Sequence, residues 1–126
     1  MLGNVPMITV LPATDIARAK AFWQGLGLQV RMEQDGNVMF EAGNGTMMLI
    51  YERPEATKAE HTVAGFLVDD VYDAVDYVSQ RGAEIQHYDS PGMQTNEYGV
   101  VDIGGFRGAW FKDSEGNIVS IAEMSQ

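Results

Sequence analysis

The stretch Thr62-Val-Ala-Gly-Phe-Leu-Val-Asp-Asp70 decides the fold, because Met7-Ile-Thr-Val-Leu-Pro-Ala-Thr-Asp15 precedes it with the same pattern. Shifted by 55 positions, Asp15 falls on Asp70, Ile16 on Val71, Ala19 on Ala74, Phe22 on Tyr77, Gly27 on Gly82 and Val30 on Ile85. Self-similarity of this kind marks a duplicated structural unit. In each copy an apolar strand pattern ends at an aspartate. A carboxylate there accepts from the free N–H groups of a first helical turn and complements the helix dipole. Ile16, Ala19, Phe22, Trp23 and Leu26 then recur at three- and four-residue spacing, as do Val71, Ala74, Tyr77 and Val78. The spacing predicts helices over Asp15–Leu26 and Asp70–Arg81, stopped by Gly27 and Gly82 in left-handed conformations.

Outward from this pair, strands are expected at Leu28–Glu33 and Ala83–Tyr88, and two more follow in each copy. Val38–Ala42 and Met47–Glu52 flank Gly43-Asn-Gly45, a hairpin signal; Gly105–Lys112 and Ile118–Glu123 flank Asp113-Ser-Glu-Gly-Asn117. The order is βαβββ twice, an α+β domain with modules at about 1–53 and 61–126. Arg53–His61, with Pro54, Lys58 and Glu60, reads as the linker. The second module alone carries an insertion, Asp89–Gly104, expected to form a lid or rim over a pocket because long loops in compact domains are more often functional than idle.

Composition narrows the function classes. The chain has no cysteine, which excludes disulfides, thiol nucleophiles and thiolate metal sites. Its net charge of −10 repels phosphate backbones, so nucleic acid is not an expected partner. The acidity suits either a cationic small molecule or mere solubility. No apolar run reaches the length that crosses a bilayer, and Met1–Ile8 lacks a signal-peptide pattern, so no membrane partner and a cytoplasmic location are expected. No serine has a histidine at interpretable spacing, and neither Gly43-Asn-Gly45 nor Gly104-Gly105 opens a helix as a phosphate loop would. Asp69-Asp70 suits helix capping better than acid–base work.

Ala109-Trp-Phe-Lys-Asp-Ser-Glu-Gly-Asn-Ile118 resembles the Asp-Pro-Asp-Gly-Asn hairpin of the vicinal oxygen chelate superfamily (glyoxalase I, extradiol dioxygenases, bleomycin- and fosfomycin-resistance proteins), with Ser114 in the proline place. With the repeat and the two capped helices, the resemblance covers nearly the whole chain. It implies two βαβββ modules related by pseudo-twofold symmetry, a homodimer, and ligands enclosed by concave sheet faces. Metal-dependent members place His, Gln or Glu on the first and last strands of each module. The matching positions here are Ile8, Leu49, Val63 and Ser120, three aliphatics and a hydroxyl. No metal or other cofactor is therefore expected. A ligand set for divalent Fe, Zn, Mn or Ni displaced toward His61, His87, Glu52 or Glu123 is the alternative.

Alternation along the strands groups Ile8 with Val10, Leu49 with Met47 and Tyr51, Val63 with Gly65 and Leu67, and Ser120 with Ile118 and Ala122. The resemblance turns Trp110 inward, with Phe106 and Gly108 on the same face. Such a lining of Trp110, Phe106, Tyr51, Leu49, Ser120, Val63 and Ile8 suits a hydrophobic or aromatic ligand. Each could equally be simple core. The leading expectation is a metal-independent binder that sequesters an antibiotic or an aromatic metabolite. A glyoxalase-like lyase or dioxygenase with a displaced metal site, and a module that only pairs with a partner subunit, are the alternatives.

Overall fold

The structure is a computed structural model, and it describes residues 1–55 and 59–123. It divides into two compact units, Met1–Ala56 and Thr57–Gln126. Of the expected linker, Ala56, Thr57 and Lys58 lie outside the described residues.

The first unit runs β1 (Thr9–Ala13), α1 (Ile16–Gly25), β2 (Gln29–Gln34), β3 (Asn37–Glu41) and β4 (Met47–Glu52). Its sheet order is β1-β4-β3-β2, with β1 parallel to β4 and the other pairs antiparallel. Asp15 caps α1 by accepting from the Arg18 N–H at 3.0 Å. One sheet face is buried under the helix. Leu11, Ala13, Val38, Phe40, Met48 and Ile50 pack there with Ala19 and Trp23. Burial alternates with the strand period, so Val10, Met39, Leu49 and Tyr51 belong to the opposite, open face.

The second unit repeats the order with β5 (Thr62–Val68), α2 (Val71–Gln80), β6 (Glu84–Ile85), β10 (Phe106–Lys112) and β11 (Ile118–Glu123). Its sheet order is β5-β11-β10-β6, again with the first and last strands parallel. Asp70 caps α2 through the N–H groups of Tyr72 and Asp73, at 2.9 and 3.1 Å. Glu123 adds a second accepting carboxylate, 3.1 Å from the Val71 N–H. Gly27 and Gly82 follow their helices at φ 102° and 94°. Among the described residues no helix is long and apolar enough to cross a membrane.

Three sequence expectations change. The strand expected over Ala83–Tyr88 is only Glu84–Ile85, which leaves His87 outside the sheet. The segment Asp89–Gly104 is not one lid. It forms a small hairpin, β7 (Asp89–Ser90) with β8 (Met93–Gln94), and then returns to the sheet as β9 (Val100–Ile103), antiparallel to β10. Val100 and Val101 are buried, so the start of β9 is core. β6 and β9 thus share one edge of β10. They meet where a Cβ on Gly99 would lie 2.4 Å from the Ile85 side chain, so only glycine fits. Gly104 and Gly105 close the β9–β10 hairpin with φ 56° and 90°. A two-residue turn with both φ positive matches the twist of its strands and favours glycine. Third, Val63 does not alternate with Gly65 and Leu67. Ile118 pairs with Thr62 and Val119 with Ala64, so Val63 is the extra residue of a bulge.

Candidate ligand site on the open faces

The hairpin that fixes the register of the second unit is held by Asp113. Its carboxylate accepts from the Asn117 N–H at 2.8 Å, the Asn117 side-chain amide at 2.8 Å and the Glu115 N–H at 2.9 Å. Burial pushes the Asp113 carboxyl up, against the pull of these hydrogen bonds. Ser114 spends its hydroxyl on the Glu115 carboxylate, 2.9 Å away, where the resemblance has a proline. This turn sets Trp110 opposite Ser120, and Ser120 opposite Gly65.

That row crosses the open face of the second unit. Ser120 leans over Gly65 so closely that a Cβ there would lie 2.5 Å from its Oγ, and the hydroxyl reaches the Ala64 carbonyl at 3.5 Å. Trp110 is 9% exposed. Tyr88 stands edge-on to it, with ring centroids 5.6 Å apart and planes at 87°. Burial raises the Tyr88 phenol above its ordinary value. The Phe106 ring lies over Gly108, 2.7 Å from where a Cβ would be. Phe106 and Leu67 remain substantially exposed, at 49% and 70%. The expected residues Trp110, Phe106 and Ser120 thus share one face, joined by Tyr88. Val63, in its bulge, stands outside the ladder.

In the first unit, Leu49 pairs with Val10 on one side and Met39 on the other, and Met39 pairs with Met32. A concavity of ≈ 360 Å³ is lined there by Met32, Gln34, Asp35, Asn37, Met39 and Leu49. Tyr51 is half-buried between Pro12 and Asn37 in the same ladder. Ile8 is exposed and lies just ahead of β1.

Sequence reasoning missed Tyr88 and the concavity of ≈ 480 Å³ lined by His87, Tyr88, Asp89, Gln94 and Thr95. Nothing local signals it, because it depends on where the insertion folds back. Met39 was findable, since the register of the β3–β4 hairpin sets it beside Leu49.

The four positions implied for metal ligands do not fit a divalent ion. Ile8, Leu49 and Val63 offer no donor atom, and the Ser120 hydroxyl is a poor ligand turned to a backbone carbonyl. Glu123 binds the α2 N-terminus and Arg107. Glu52 packs over Gly36, and His61 is exposed just before β5. Among the described residues, no three His, Cys, Asp or Glu gather at metal-binding distance.

Solved structures share this architecture. A glyoxalase family protein from Enterococcus faecalis superposes with a TM-score of 0.73 at 15% identity, covering 98% of this chain and 100% of that one. A bleomycin resistance determinant encoded on the transposon Tn5 gives 0.70 at 17%, covering 95% and 98%. A lactoylglutathione lyase from Agrobacterium tumefaciens gives 0.63 at 23%, covering 95% and 93%. These likenesses establish the fold. No curated protein matches the sequence. The family model for the Glyoxalase/Bleomycin resistance protein/Dioxygenase superfamily matches residues 7–121, nearly the full length, and the chain belongs to that superfamily.

Proposed function

We propose that the protein binds a hydrophobic or flat aromatic small molecule, an antibiotic or an aromatic metabolite, without a metal ion and without altering it. One observation carries this reading. On the open face of the second unit, Trp110 stands opposite Ser120, one of the positions where the superfamily's metal chemistry would need a donor, with Tyr88 edge-on to the indole and the Phe106 ring over Gly108. An indole already braced edge-on by a tyrosine offers a fixed stacking surface, and little side-chain entropy is lost on binding. The likeness to a bleomycin resistance determinant supports sequestration as the biological use.

The protein also pairs as a homodimer in this reading. Phe106, Leu67, Ile103, Val10 and Ile8 leave apolar surface that a symmetric partner would cover. Light scattering should give twice the chain mass at micromolar concentration, and a monomer would contradict the pairing.

The functional test is a thermal-shift screen of antibiotics and aromatic metabolites, run once with chelator and once with Mn, Fe, Zn or Ni. A ligand that binds only the folded state at about one hundred times its Kd adds roughly 2.7 kcal/mol of stability. The expected result is a shift in chelator that metal leaves unchanged. A shift that requires the metal would overturn the reading.

A further inference from the structure

The insertion builds a second wall beside the aromatic row. After β6, the Gln86 N–H donates to the Trp110 carbonyl at 2.8 Å, which brings Tyr88 against the indole. Tyr88 is then fastened to Thr95 on the far side of the β7–β8 hairpin. The Tyr88 N–H donates to Thr95 Oγ1 at 2.9 Å, and the Thr95 N–H to the Tyr88 carbonyl at 3.0 Å. His87, Tyr88, Asp89, Gln94 and Thr95 consequently line one concavity of ≈ 480 Å³. Asp89 is the carboxylate among them, steered by the Gln94 amide at 3.3 Å, and among the described residues no lysine or arginine joins the lining.

Charge points the same way. The unit Thr57–Gln126 carries four Lys and Arg against twelve Asp and Glu, whereas Met1–Ala56 carries four against six. Within the acidic unit, Arg107 is held by Asp102 and Glu123, and Arg81 lies over the Tyr77 ring. Neither serves Asp89.

We propose that this concavity receives an amino or quaternary ammonium group, so that the molecule bound at Trp110 is an aromatic cation. The inference rests on the ligand-binding reading and names its substrate class. An ammonium beside the Tyr88 ring is attracted by its face, and Asp89 supplies the opposite charge, while the rest of the molecule reaches Trp110 past Tyr88. An anionic analogue of the same shape would meet Asp89 and the acidic field of the unit instead.

The test uses three probes of one shape and different charge: naphthylmethylammonium, naphthylmethanol and naphthoate. Their affinities are measured by calorimetry for the full chain, for Asp89→Asn and for Asp73→Asn, an exposed aspartate on α2 outside the concavity. Expected is an ammonium affinity about tenfold above that of naphthoate, with naphthylmethanol between them. Asp89→Asn should lower the ammonium affinity about fivefold and leave naphthylmethanol unchanged, and Asp73→Asn should change neither. Equal binding of all three probes overturns the inference and leaves the ligand-binding reading standing. A preference that survives Asp89→Asn, or falls equally with Asp73→Asn, belongs to the diffuse field and also overturns it. Binding of none of the three overturns both.

Discussion

The two units share a frame and differ in what they add to it. Each has a capped helix over one face of a sheet ordered first, last, third, second. The first unit leaves its open face to Met32, Met39, Leu49 and Val10, flexible or aliphatic side chains. The second places Trp110, Tyr88 and Phe106 on the equivalent face and breaks its edge strand to admit an insertion. The duplicated parts are those that bury a helix, and the departures collect on the face the helix does not cover.

The two tryptophans give the strongest test of this division. Trp23 is fully buried under α1's unit, so Trp23→Ala should cost roughly 3–5 kcal/mol. Trp110, 9% exposed on the open face of the other unit, should cost less on truncation to alanine, roughly 1–3 kcal/mol in chemical denaturation, yet that change should abolish ligand binding. Equal stability losses would make Trp110 a core residue like its counterpart.

The closing hairpins differ next. Asp113→Ala strands the Glu115 and Asn117 donors in a buried turn and should cost about 2 kcal/mol. In the first unit Thr46 donates to the Gly43 carbonyl at 2.7 Å from an exposed position, and Thr46→Ala should cost about 0.5 kcal/mol or less. The caps follow the same asymmetry. Asp70 accepts two N–H groups and Asp15 one, so alanine at 70 should destabilise more than alanine at 15, both within about 0.5–2 kcal/mol. Urea unfolding of the four variants would rank them.

The smallest effect is a pH dependence. Because burial raises the Asp113 carboxyl above its unfolded value, the folded state holds that proton more tightly. Its contribution to stability should rise as pH falls through the raised value, and be complete below the ordinary carboxylate range. Asp113→Asn should remove that component from the pH profile of the denaturation midpoint.

Much of this was legible in the sequence. Helix bounds, caps and the Asp113 hairpin follow from patterns within a few residues, and Met47–Glu52 and Ile118–Glu123 are strands as expected. β9 was also written there: Val100-Val101, Ile103 and Phe106 flank Gly104-Gly105, a two-residue hairpin signal read instead as the end of a loop. The bulge at Val63 was not, because register depends on a strand far away in sequence. Nor was the meeting of Tyr88 with Trp110, which depends on the path of the insertion rather than on any local pattern.

The most direct measurement is tryptophan emission while a calorimetrically verified aromatic ligand is titrated in the presence of chelator. Saturable quenching in the native protein, lost in Trp110→Phe while Trp23 still emits, is the result predicted. Full binding with the Trp110 emission unmoved would contradict the assignment of the site to the second unit's open face.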